Sequence, residues 1–175
     1  VLPDISEPRQ IEAKRVVRED ALAPRPAWSA GWHVPARGTP EWYAMGLIDQ
    51  ILVQGADSRL HQRLVVQDGL TGGVMGGINI GLGNMFNYNG PMLWTVALVH
   101  DADRSEAQIT GAVDAVIADL QANGVTQAEL DRARTKIRSG LYGIVESGTR
   151  FGLVDLLAVY ALFDDDPSRV NGIEA

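Results

Sequence analysis

The stretch GADSRLHQRLVVQDGL, residues 55–70, decides the fold. Gly55 stops whatever precedes it, Asp57 or Ser58 can cap a new helix, and Leu60 and Leu64 fall one helical turn apart. Gly69 and Leu70 close the segment. On its N-terminal side lies TPEWYAMGLIDQIL, where Thr39 caps and Pro40 takes the first helical position, a place where the missing N–H costs nothing and the fixed φ suits the helix. On its C-terminal side lies the glycine-rich run TGGVMGGINIG. A short helix thus sits between a longer helix and a strand, and Leu60, Leu64 and Leu70 are expected to bury against the sheet.

Reading outward, WSAGWHV alternates: Trp28, Ala30, Trp32 and Val34 face one way while Ser29, Gly31 and His33 face the other, as in a strand with one buried face. KRVVRED, from Lys14, is a further strand candidate. After the glycine-rich run and the turn-rich LGNMFNYNG comes PMLWTVALV, apolar almost throughout from Met92 to Val99, which reads as a central strand covered on both faces. Ser105 with Gln108, then Thr126 with Glu129, form capping boxes opening two helices, the first ended by Gly124. A bend or break is expected around Gly148 and Gly152, followed by a last apolar helix ending near Asp164 to Pro167. The order is ββααββαα: an α+β fold, a sheet with helices packed on one face.

Segment 55–70, with its flanking helix and strand, resembles the C-terminal-type domain of the pitrilysin/insulinase (M16) zinc metallopeptidases. The matching positions are Ser58, Arg59, Leu60, Leu64, Gly69 and Leu70, and the likeness runs from about Arg15 to Asn171. It implies the M16 fold, with a mixed sheet and antiparallel pairing. It also implies homologous domains paired around an unfolded peptide, with one carrying zinc and the others walling the chamber. Many members hold substrate with an Arg one residue after the second Leu and a Tyr seven residues further on; here those places are Val65 and Gly72, so no substrate-binding residue carries over.

The family's catalytic His-x-x-Glu-His is also absent. His33 is followed by VPAR, His61 by QRLV and His100 by DADR, so no two histidines stand one turn apart to ligate a metal with a Glu between them, and the chain has no cysteine. His100 with Asp101 and Asp103 reads as a solvated turn after a strand, and His33 as a polar-face residue. Ser58, Ser139 and Ser147 stand in no nucleophile elbow. Gly81 and Gly83 lead into Asn84, Met85 and Phe86, which lacks the third glycine of a dinucleotide loop. Neither catalytic nor metal residues are assigned, and no cofactor is expected within this chain. The resemblance places Zn2+ in an upstream or partner domain.

Composition sets the outer bounds. The 175 residues are 46% hydrophobic and 21% charged, with a net charge of -7, which suits one self-standing domain and disfavours nucleic acid as a partner. No run approaches the ~20 apolar residues of a membrane span. Residues 1–13, with Pro3 and Pro8, read as a linker from an upstream domain, and residues 14–175 as the domain, truncated at its C-terminus. The resemblance suggests a periplasmic setting. Two roles follow from it: the non-zinc domain of an M16 endopeptidase, or part of an inactive M16 subunit that scaffolds an active partner. An unrelated α+β binding module is the third reading. In the first two, the partners are a homologous M16 domain or subunit and an unfolded peptide, with the strand of residues 71–81 lining the cavity. A bulky residue at Gly76 is then expected to leave the domain folded.

Overall fold

The computed structural model describes residues 10–81, 83, 85–147 and 152–172. Three strands, β1 (Ala27–His33), β2 (Met75–Ile78) and β3 (Leu93–Val99), form one sheet in the order β1-β3-β2, and every hydrogen-bonded pair is antiparallel. β1 and β2 run in the same direction, linked through helices, and β3 is inserted between them. The antiparallel pairing that the resemblance implies is present, but in this split crossover the sheet is antiparallel throughout rather than mixed, because the two parallel strands are not neighbours.

The alternation in β1 sets the inner face. Trp28, Ala30 and Trp32 line up through the register with Leu98, Val96 and Trp94 of β3, while Gly76 and Ile78 of β2 continue the same rows. Trp94, Val96 and Leu98 are buried, and the Trp32 and Trp94 rings lie 5.1 Å apart. The opposite face is open, with Leu93 and Val99 exposed and Thr95 and Ala97 half-buried. The expected covering of β3 on both faces is therefore overturned: among its residues only the alternate positions Trp94, Val96 and Leu98 are buried, so a nearly continuous apolar run in an antiparallel strand can serve a single buried face.

Helix α1 (Pro40–Leu52) starts as read: Thr39 accepts from the Trp42 N–H through its side chain, and Pro40 occupies the first turn. Next come α2 (Arg59–His61), with Ser58 at its N-cap position but making no side-chain capping bond, and a π-helical turn, Gln62–Gln67. Leu60 and Leu64 are 0% exposed and Leu70 is buried, so this segment plugs the core, as its spacing requires. Helices α3 (Glu106–Asn123) and α4 (Gln127–Glu146) each open with a complete capping box, Ser105/Gln108 and Thr126/Glu129. Helix α5 (Leu153–Asp164) follows, then a 3-10 turn, Pro167–Gly172. The bend expected at Gly148 lies outside the described residues, whereas Gly152 caps α5.

Two sequence expectations fail outside the core. Residues 14–20 form no strand: the only apolar residues in KRVVRED, Val16 and Val17, are adjacent and would point to opposite faces, and both are exposed. The segment is tied to the body by the Arg15–Glu106 ion pair. His100 is buried rather than solvated. Its N–H donates to Pro26 O at 3.0 Å, its Nδ1 lies 2.9 Å from Asp101 O, and it bridges to Thr71, so the strand end is pinned from both sides. Asp101 and Asp103 beside it are exposed, and no group of three metal-capable side chains occurs among the described residues.

The acidic run at the end of α5 has a structural role. Asp164 accepts from Arg37 at 2.8 and 3.0 Å with both side chains largely buried, and the Arg37 guanidinium also lies over the Phe163 ring. The pair fastens α5 to the loop before α1, and Arg37 holds the Asp164 carboxyl below its ordinary range.

Candidate functional site: the groove between β2 and α4

β2 is the last strand of the sheet, so one of its edges faces away from β3. Alongside that edge runs α4, which packs on α1. Between them lies a groove of about 390 Å³. One wall is Gly76, Gly77, Ile78 and Ile80. The other is Lys136, Ile137, Gly140, Leu141 and Ile144, with Met85 and Phe86 at one end and Asp49 and Gln54 at the floor.

Asp49 shapes the floor. It occupies an inward position of α1, between Met45 and Leu52 in helical spacing, and is 8% exposed. Its Oδ1 accepts from Trp94 Nε1 at 2.8 Å, and its Oδ2 accepts from Gln54 Nε2 at 3.1 Å. Burial pushes the carboxyl above its ordinary range, although both hydrogen bonds pull the other way. Gln54 also donates to Gly76 O at 3.1 Å, so one amide joins the end of α1 to the edge strand. Lys136, on the opposite wall, is engaged by Gln54 O at 2.9 Å and by Asp57. The groove thus offers an apolar wall, a strand edge and a floor whose polar groups are satisfied. That arrangement suits an extended, largely apolar chain better than a small charged molecule.

The glycines act differently from one another. A Cβ on Gly76 would overlap the Thr95 carbonyl oxygen and stand 3.0 Å from Val53 Cγ2, so this glycine serves close packing of strand against core. The expectation that a bulky residue is tolerated at Gly76 is overturned for that reason. Gly140 is the opposite: a Cβ there meets nothing within 4 Å, because the groove is in front of it.

The Arg of the Ser-Arg-Leu motif holds helices together. Arg59 pairs with both Glu129 carboxylate oxygens, Nε at 2.7 Å and Nη2 at 2.9 Å, and reaches Asp119 at 3.0 Å and Gly124 O at 2.9 Å. It thereby locks the turn between α3 and α4, which sets α4 at its place along the groove. Val65 lies half-buried in the π-helical turn, and Gly72 is exposed in the turn after it. Sequence reasoning missed Asp49, although its signal was present: an acid on the inward face of an otherwise apolar helix. It also missed Gly140, since only the packing of α4 brings that residue opposite β2.

A family model described as "Peptidase M16 inactive domain" matches residues 3–137. The chain belongs to the peptidase M16 inactive-domain family. Solved structures give this M16 domain its fold relatives. A candidate zinc protease of Bordetella pertussis Tohama I is 22% identical with a TM-score of 0.65, over 85% of this chain and 76% of that one. A peptidase M16 inactive domain from Pseudomonas fluorescens is 24% identical, TM-score 0.65, over 85% and 32%. The inactive peptidase domain of a candidate zinc protease from Bordetella parapertussis is 23% identical, TM-score 0.67, over 85% and 74%. The M16 domain therefore spans about three quarters of two of these chains and a third of the other. No curated protein sequence matches it. No helix among the described residues is long and apolar enough to cross a membrane.

Proposed function

We propose that this M16 inactive domain is the non-zinc domain of a zinc metalloendopeptidase, walling the chamber in which an unfolded peptide is cut and docking against a homologous domain or subunit that carries the Zn2+. The observation that carries the reading is the groove beside the open edge of β2. The outer edge of β2 has no strand neighbour, and backbone groups along such an edge, apart from Gly76 O, which accepts from Gln54, can pair with the main chain of an extended peptide regardless of its sequence. A protease that degrades unfolded chains needs that kind of tolerance. The chemistry comes from the zinc-bearing domain, and this domain contributes enclosure and alignment.

The purified 175-residue chain should show no cleavage of a long unfolded peptide, with or without added zinc. The protein that carries it, together with any partner subunit, should cleave that peptide and stop when a chelator is added. Zinc-dependent cleavage by the chain alone overturns the reading. Val65 and Gly72 favour a second reading, in which the domain belongs to an inactive subunit that scaffolds an active one, because the Arg and Tyr of many relatives are missing there. Activity that appears only when a separate subunit is added selects this second form.

A further inference from the structure

Three Asn-Gly pairs occur in the chain: Asn89–Gly90, Asn123–Gly124 and Asn171–Gly172. This dipeptide can undergo a reaction of its own, since the glycine nitrogen, unshielded by a Cβ, can attack the Asn side-chain carbonyl carbon. Whether it does depends on the fold, which must leave the nitrogen free and the backbone able to turn.

The fold treats the three pairs differently. At the end of α3, the Gly124 N–H donates to Leu120 O at 2.9 Å, and Asn123 Nδ2 donates to Asp119 Oδ1 at 2.8 Å, so nucleophile and electrophile are both held. Asn171–Gly172 closes the 3-10 turn packed on α5. Asn89 and Gly90 are both exposed, in the connection between β2 and β3 and outside any regular element. Neither residue makes a hydrogen bond among the described residues, and a Cβ on Gly90 would meet nothing within 4 Å. Pro91 biases Gly90 toward extended geometry, away from a helical turn that would occupy its N–H.

We infer that Asn89 is a site of spontaneous modification, at which the Gly90 main-chain nitrogen closes a succinimide on the Asn89 side chain and water opens it to aspartate or isoaspartate. The Gly90 N–Cγ bond forms and the Cγ–Nδ2 bond breaks. The Gly90 proton passes to solvent base, and the side-chain nitrogen takes up a proton and leaves as ammonia. Water then adds to one of the two imide carbonyls and breaks that carbon's bond to the Gly90 nitrogen, giving aspartate when Cγ is attacked and isoaspartate when the Asn89 main-chain carbon is, with no oxidant or reductant involved. The product carries one more negative charge. In the isoaspartyl form, the main chain runs through the side-chain carbon. That lengthened link lies between Tyr88, whose hydroxyl accepts from Trp42 Nε1 at 2.8 Å, and Met92, whose carbonyl accepts from the Val34 N–H at 2.9 Å.

The test uses the chain in two states, folded and fully denatured, aged at mildly alkaline pH and analysed by peptide mass spectrometry with chromatographic separation of the isoaspartyl peptides. In the denatured chain the three pairs should react at comparable rates. In the folded chain Asn89 should stay close to its denatured rate while Asn123 slows at least about tenfold, the factor set by about 1.4 kcal/mol of local opening. Gly90→Ala should slow Asn89 alone and leave the melt unchanged. Reaction of Asn123 or Asn171 as fast as Asn89 in the folded chain, or equal slowing of all three, overturns the inference.

Discussion

Arg59 and Glu129 show how much one residue pair can organise. Glu129 closes the capping box of α4 by accepting from the Thr126 N–H at 2.8 Å, and it also receives the Arg59 fork. The Arg59 hydrogen bonds are the largest cause of its pKa falling to about 2, helped by the Thr126 bonds and opposed by burial. A carboxyl whose folded pKa is depressed stabilises the fold above its unfolded value and loses that contribution as pH falls through the folded one. The loss should therefore fall between the ordinary Glu range near 4.5 and about 2. After allowance for solvent screening it amounts to roughly 2 kcal/mol. Urea melts across that window should show it for the natural chain, and Glu129→Gln should flatten the slope; an unchanged slope contradicts the lock.

At the scale of elements, the short helix and the edge strand carry the fold. Leu64→Ala removes a side chain with no exposure from the core cluster, where the π-helical turn packs on α3. It should cost ~2–5 kcal/mol, read as a lower unfolding midpoint. A loss of only a few tenths of a kcal/mol would mean that the segment does not plug the core. Gly76→Ala forces a methyl group toward the Thr95 carbonyl and Val53, and should cost about 1–3 kcal/mol of overpacking in the same assay. A neutral Gly76→Ala would contradict the close approach of β2 to the core.

These elements were legible in the sequence to different degrees. Caps and leucine spacing are local chemistry, so α1, α3, α4 and the buried trio Leu60, Leu64 and Leu70 could be read directly. The coverage of β3 was misread because an apolar run records what a strand tolerates, not how many layers cover it. Residues 14–20 were misread because two valines in a charged run have strand propensity but no partner to bury against. The groove was legible only in its glycines. Its second wall depends on α4 crossing beside β2, a long-range packing that no local pattern encodes, and Gly76 and Gly140 look alike until that packing is known.

For the whole molecule, the proposed function divides labour: this domain offers a strand edge and a groove, and the metal chemistry is assigned to another domain. Gly140 is the place to test it. The residue is exposed on the groove side of α4, with nothing within 4 Å of a Cβ. Gly140→Trp should fill the groove while keeping the domain folded, whereas Gly111→Trp, equally open but on α3 and away from the groove, serves as the control. The decisive measurement is turnover of a long unfolded peptide by the full-length protein, with any partner subunit, carrying each substitution, alongside a thermal melt. The expected result is an unchanged melt for both variants, turnover reduced several-fold by Gly140→Trp, and natural turnover with Gly111→Trp. Natural turnover by a folded Gly140→Trp protein would contradict the assignment of the groove to the peptide.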